Sequence, residues 1–322
     1  MCTAISFHGD GHYFGRTLDH TCSYGEEVVL APRNFPLPFR HVPELGQHHA
    51  ILGMAHVAGG YPLYYDAMNE HGLCMAGLNF EGFARYGGTG RDRVAAFELI
   101  PWVLGQCASL REARKLLKSL SITEEAFSPE LPAARLHWLL ADRTGALTIE
   151  SLADVLRVWE NPVGVLTNAP PFAEQMRHLS TFMNLSPHQP HNHIYPECDL
   201  PLHSLGMGAM GLPGDLSSPS RFVRAVFTKG HAERGGVERG GVEQFFHLLD
   251  AVRQTRGCCR TEDNELEFTR YSSCCDTEKR RYCYTTDTNR RITAISLDRE
   301  NLEKTALRRW KLLEKEDILL QN

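Results

Sequence analysis

The second residue of the chain is a cysteine, and Arg16 and Asp19 follow it closely in "YFGRTLD". In "MCTAISF" the small side chain after Met1 permits loss of the initiator methionine, which would leave a thiol and a free α-amine on one residue. A thiol attacks a carbonyl as its thiolate, and at an ordinary pKa near 8.5 only about 3% is ionised at pH 7. A free α-amine, with an ordinary pKa of about 7.7–8.0, can act as base on its own residue, and a nearby cation favours the thiolate. Arg16 is placed to be that cation, and Asp19 to hold the ammonium form of the amine. The plainer alternative is a small residue of no consequence beside an ordinary strand-end ion pair.

Other stretches with chemical residue types are weaker. Gly206 to Gly211 satisfies G-x-G-x-x-G, but Leu212-Pro213-Gly214-Asp215 follows where a dinucleotide site needs a helix. "HQPHNH" (His188 to His193) offers three imidazoles without a helical frame, and a solvated loop is expected. Cys107 follows the apolar run "FELIPWVLG" and reads as a buried helix-end thiol. Neighbours on a strand point to opposite faces, so the doublets Cys258-Cys259 and Cys274-Cys275 are poorly arranged to hold one ion. They read as structural thiols.

The elements that must position Cys2, Arg16 and Asp19 come next. Turn chemistry in "HGDGH" (His8 to His12) between two β-prone runs predicts a hairpin with Cys2 at the tip of its first strand. Further strands are expected at Glu27 to Ala31, Ala50 to Val57, Leu63 to Met68, Leu73 to Leu78, Leu136 to Ala141, Leu147 to Ser151 and Val155 to Trp159. Three more follow near the C-terminus, at Phe268 to Ser272, Tyr282 to Thr286 and Ile292 to Ser296. Helices are expected at Ala96 to Leu104, Leu110 to Leu117, from Arg221, and at Val242 to Val252, where Val242, Phe245, Phe246, Leu249 and Val252 form an apolar stripe. Glu233 to Glu243 repeats a five-residue unit and reads as a lengthened surface loop. Blocks of strands alternating with helices suit antiparallel sheets covered by helices, an α+β arrangement.

The 322 residues, 42% hydrophobic and 23% charged, have a globular composition with no linker-like stretch, and one domain over 1–322 is expected. A formal charge of -5 gives no electrostatic reason to expect nucleic acid. No basic leader with an apolar core and no membrane-length apolar run is present, so a cytoplasmic protein with ten mostly reduced cysteines is expected.

Taken together, "MCTAISF", "YFGRTLD", "NEHGLCMAGLNF" (Asn69 to Phe80), "LTNAPPF" (Leu166 to Phe172) and "GLPGDLSSPSRF" (Gly211 to Phe222) resemble the successive signatures of the choloylglycine hydrolase family. "LHWLLAD" and "YSSCCDTEK" extend the resemblance almost end to end. These N-terminal-nucleophile hydrolases include conjugated bile acid hydrolases and penicillin V acylases, on a four-layer α-β-β-α sandwich of two antiparallel sheets. The resemblance implies Cys2 as nucleophile after loss of Met1, Arg16 and Asp19 as its electrostatic partners, Asn79 and Asn168 around the oxyanion and substrate amide, and Arg221 as a supporting cation. It also implies conjugated bile salts as substrates, no metal or organic cofactor, and a homotetramer. Asparagine after "AGL" leans toward bile-salt hydrolases rather than penicillin V acylases, whose Gram-positive members tend to have tyrosine there. A non-catalytic bile-salt-binding protein is the alternative of another class. For the sterol body and the anionic conjugate, Leu18, Tyr61 and Arg85 in the loop Glu81 to Val94 are candidate contacts.

Overall fold

The structure is a computed structural model that describes residues 1–87, 89–153, 155–234 and 241–322. Most of the repeat at Glu233 to Glu243, and Gly88 in the loop Glu81 to Val94, lie outside the described residues.

Apolar residues that alternate along the strands set the layers. The strands are β1 (Cys2–His8), β2 (His12–His20), β3 (Glu27–Ala31), β4 (Ile51–Ala58), β5 (Tyr61–Asn69), β6 (Cys74–Asn79), β7 (Asp92–Ala95) and β8 (Leu120–Thr123). They continue with β9 (Leu136–Asp142), β10 (Gly145–Leu152), β11 (Val155–Glu160), β12 (Val165–Leu166), β13 (Phe268–Asp276), β14 (Arg281–Thr286), β15 (Thr293–Ser296) and β16 (Arg308–Lys311). One sheet has six strands in the order β12-β1-β2-β13-β14-β15, and a second has eight in the order β11-β10-β9-β6-β5-β4-β3-β16. Neighbours in both are antiparallel; β7 and β8 form a separate parallel pair.

Along β6, Cys74, Ala76 and Leu78 join a core shared with β1 and β2, whereas Leu73 and Met75 belong to a second core with Trp138 and Leu140 of β9. That period of two gives the eight-stranded sheet two buried faces. Helices α1 (Leu99–Gln106) and α2 (Leu110–Leu116) pack on its outer side. On the far side of the six-stranded sheet lie α3 (Phe172–Leu179), α4 (Ser218–His231) and α5 (Gly241–Asp250). The result is the expected α+β, four-layer α-β-β-α sandwich. The stripe of α5 is buried as its spacing predicts, with Phe245, Leu249 and Val252 in the core.

The short β12, the β7–β8 pair, α3 and β16 have no counterpart in the sequence reading. Residues 183–216 carry no longer element than a single turn at Met207–Ala209. The G-x-G-x-x-G stretch falls there, followed by extended backbone at Met210 rather than a helix, and His188, His191 and His193 are exposed as a solvated loop requires. Among the described residues no helix is long and apolar enough to cross a membrane.

Candidate active site

The β1–β2 hairpin aligns Cys2 with Leu18 and Ala4 with Arg16. Cys2, Arg16 and Leu18 therefore share one face of the sheet, while Thr3, Thr17 and Asp19 share the other. Arg16 reaches into the space between the sheets, where its Nη1 donates to the carbonyls of Tyr65 (3.2 Å) and Gly77, and its Nε to that of Thr17 (3.3 Å). Its Nη2 is buried and has no hydrogen-bond partner among the described residues. Burial of this guanidinium, 1% exposed, opposes its charge; its electrostatic interactions with Cys2, Tyr271, Asp66 and Asp19 outweigh that and hold it protonated.

Asp66, which the sequence reading missed, is fully buried and supplies part of that field. Its carboxylate accepts hydrogen bonds from the hydroxyls of Tyr271 (2.6 Å), Tyr282 (2.7 Å) and Ser273 (2.8 Å). The available signal was an acid embedded in the apolar strand "YPLYYDAMN", where an unpaired charge would be too costly to keep. Tyr271 reaches Asp66 because of an irregularity in the β2–β13 ladder. Thr269 pairs with Asp19 and Tyr271 with Leu18, so the extra residue Arg270 turns two residues that would share a face onto opposite faces. Thr269 Oγ1 accordingly donates to Asp19 at 2.6 Å on one side, while Tyr271 serves Asp66 on the other.

On the helix-facing side, α4 presents Arg221 from its first turn. Ser217, in extended conformation, precedes the helix and Pro219 occupies its first turn, where a missing N–H is tolerated. Arg221 Nη1 donates to the Cys2 carbonyl and to Thr3 Oγ1 (2.7 Å), Nη2 to Asn168 Oδ1 (2.7 Å) and Nε to the Leu216 carbonyl (3.0 Å). Asp215, the plainer partner for Arg221, instead accepts from Ser217 N–H (2.9 Å) and Ser220 Oγ (2.5 Å).

Asn168 joins three parts of the chain. Its Oδ1 accepts from the backbone N–H of Cys2 at 2.7 Å as well as from Arg221, and its Nδ2 donates to the Asn79 carbonyl at 2.8 Å. Ser218 Oγ, three residues before Arg221 in α4, accepts from the Asn168 N–H at 2.8 Å. Asn79 ends β6; it is exposed, and its side-chain amide has no hydrogen-bond partner among the described residues. Asp19 is fully buried, which pushes its carboxyl up, and Arg221, the chain's ammonium group and the Thr269 hydroxyl pull against that. Met1 caps the group: its ammonium donates to the Asp19 carbonyl (2.8 Å) and to Glu267, and its carbonyl accepts from the Asp19 N–H (2.9 Å).

The structure thus gathers Cys2, Arg16, Asp19, Asn168 and Arg221, with Asn79 and Leu18 beside them. Tyr61 is not among them. It packs in the outer core of the eight-stranded sheet, with ring centroids 6.1 Å from Phe97 and 5.9 Å from Phe127, on the face that carries Met75 rather than the face shared with β1 and β2. Arg85 is exposed on the loop after Asn79, its Nη1 donating to the Ala84 carbonyl at 2.9 Å. Two cavities of about 280 Å³ are lined by Phe7, His231 and Gln244 in one case and by Tyr284, Ile295 and Trp310 in the other; neither touches a candidate site residue. All ten cysteines are free; Cys107 is buried after α1 with its thiol pushed up to about 12 by burial, and Cys274 is raised for the same reason.

The chain is 48% identical over 309 residues, 95% of each chain, to a bile salt hydrolase/transferase of Lactiplantibacillus plantarum. A crystal structure of the C2A mutant of the conjugated bile acid hydrolase from Clostridium perfringens superposes with a TM-score of 0.93 at 32% identity, covering 100% of both chains. Penicillin V acylase from Agrobacterium tumefaciens shares the fold, with a TM-score of 0.77 at 18% identity over 96% of this chain and 91% of its own. Residues 2–309 match the family model for linear amide C–N hydrolases of the choloylglycine hydrolase family. With that match and these identities over nearly the whole chain, the protein belongs to the choloylglycine hydrolase family of linear amide C–N hydrolases.

Proposed function

We propose that this enzyme hydrolyses the amide joining a bile acid to glycine or taurine, with Cys2 as an N-terminal nucleophile exposed by loss of Met1. The observation that carries the reading is the 2.7 Å contact from Cys2 N to Asn168 Oδ1, inside a buried set of Arg16, Asp19 and Arg221. While Met1 is attached, that nitrogen is an amide and has no basic lone pair. Once Met1 is gone, the same position holds an amine anchored beside its own thiol. The names of the relatives, bile salt and conjugated bile acid hydrolases, support the substrate.

In this mechanism the α-amine takes the Cys2 proton and Sγ attacks the carbonyl carbon, forming a tetrahedral oxyanion. Asn79, whose amide is otherwise unengaged, donates to that oxygen without adding permanent charge. The C–N bond breaks as the ammonium returns a proton to the departing glycine or taurine nitrogen, leaving a thioester. Water, deprotonated by the amine, then attacks the thioester and frees the bile acid and the thiol. Arg16 favours thiolate, Asp19 and Asn168 orient the amine, and Arg221 ties Asn168 to the Cys2 backbone. Leu18, opposite Cys2, offers apolar contact to the sterol, and Arg85 is poised to meet the anionic conjugate. A single domain, a cytoplasmic location and a homotetrameric assembly belong to the same proposal, resting on chain composition, cysteine usage and the family resemblance.

Release of glycine or taurine from conjugated bile salts, assayed beside penicillin V, tests the substrate. Faster turnover of the bile salts is expected. Hydrolysis of penicillin V alone would reassign the enzyme as an acylase, and binding of bile salts without turnover by the processed protein would make it a binder.

A further inference from the structure

A second group of ligand-type side chains lies at the opposite end of β6 from Asn79. His49 sits just before β4, while Glu70 and His71 form the turn between β5 and β6. Pairing of Ile51 with Asn69, and the bond from Glu70 N–H to the Ala50 carbonyl (3.0 Å), set these segments side by side. His49 Nδ1 and His71 Nε2 stand 3.1 Å apart, with rings inclined at 80°. A Glu70 carboxylate oxygen lies with them, all three ligand atoms within 4.8 Å of one another.

Two nitrogens bound to one ion at about 2.0–2.1 Å in tetrahedral geometry are separated by roughly 3.3 Å, so the imidazole spacing suits a shared ion. Both Glu70 oxygens already accept from Arg33, and one also from Ala50 N–H, so Glu70 must share an oxygen rather than offer a free one. His71 is exposed, which leaves the solvent side open for water ligands.

We propose that His49, His71 and Glu70 form a site for one divalent transition-metal ion of the nickel or zinc class, which clamps the segment before β4 to the β5–β6 turn. Imidazole with carboxylate suits such ions better than calcium or magnesium. The six residues of β6 set the site on the order of 20 Å from Asn79, so the ion has no part in amide hydrolysis.

Calorimetric titration of the full-length protein with nickel chloride, alongside His49→Ala and His71→Ala, tests this. Nickel is the probe because it favours imidazole over the thiols that compete for zinc. The wild type is expected to bind one equivalent more than either variant, and nickel to raise Tm in the wild type alone. Without nickel, His71→Ala should hydrolyse substrate at the wild-type rate, which confirms that it is folded. Equal stoichiometry and equal Tm response in all three proteins would overturn the proposal and leave the two rings as a hydrogen-bonded pair.

Discussion

Among single residues, the proposed roles of Asn79 and Asp66 can be separated by substitution. Asn79, whose amide has no partner among the described residues, is the proposed oxyanion donor, so Asn79→Ala is expected to lower kcat roughly 100- to 1000-fold with little change in KM, the signature of a contact made in the transition state. Steady-state kinetics on a conjugated bile salt reads the split directly. Asp66 acts through Arg16 rather than on substrate. Asp66→Asn keeps the shape but removes a buried countercharge, and leaves Arg16 buried among carbonyls and a smaller negative field. A loss of about 3 kcal/mol in urea unfolding is expected, with activity falling alongside. Unchanged stability would mean that Asp66 does not hold Arg16.

At the scale of elements, the hairpin depends on a close approach between β2 and β13. A Cβ added at Gly15 would stand 1.9 Å from the Ser273 carbonyl oxygen, and that backbone cannot yield without opening the ladder that carries Arg16 and Asp19. Gly15→Ala is therefore expected to cost at least ~3 kcal/mol in denaturant unfolding, far beyond an ordinary surface change. Cys2, Arg16 and Asp19 were legible because one hairpin holds all three, and the apolar stripe of α5 because its period is local. Asn79, Asn168 and Arg221 became legible only through motifs read together, since each is set by a different element. Asp66 had a signal in its apolar strand that went unread, whereas its partners Tyr271, Ser273 and Tyr282, the misalignment at Arg270 and the two-residue β12 were not legible, because each exists only through pairing with distant strands. The face that Tyr61 takes was not legible for the same reason: nothing in "AGGYPLYYD" shows the register shift against β4 that comes only with pairing.

At the scale of the whole molecule, the sandwich buries polar groups whose protonation ties its stability to pH. His12 is 1% exposed, with Ser6 Oγ 3.0 Å from its Nε2; burial, with His8 adding, pushes its imidazole down to about 3. The unfolded chain takes up this proton near pH 6.5 and the folded chain does not. Stability from this group is therefore present above about 6.5 and is lost as pH falls toward about 3, by on the order of 5 kcal/mol. Thermal unfolding at pH 7 and pH 4.5 should show a smaller acid loss in His12→Gln than in the wild type. The same buried architecture holds the Cys2 nitrogen against Asn168. The direct measurement is hydrolysis of a conjugated bile salt by preparations whose intact mass shows Met1 present or absent, with Cys2→Ala beside them. Turnover only in the form that has lost Met1, and none in Cys2→Ala, is predicted; full turnover with Met1 retained, or with Cys2→Ala, would contradict it.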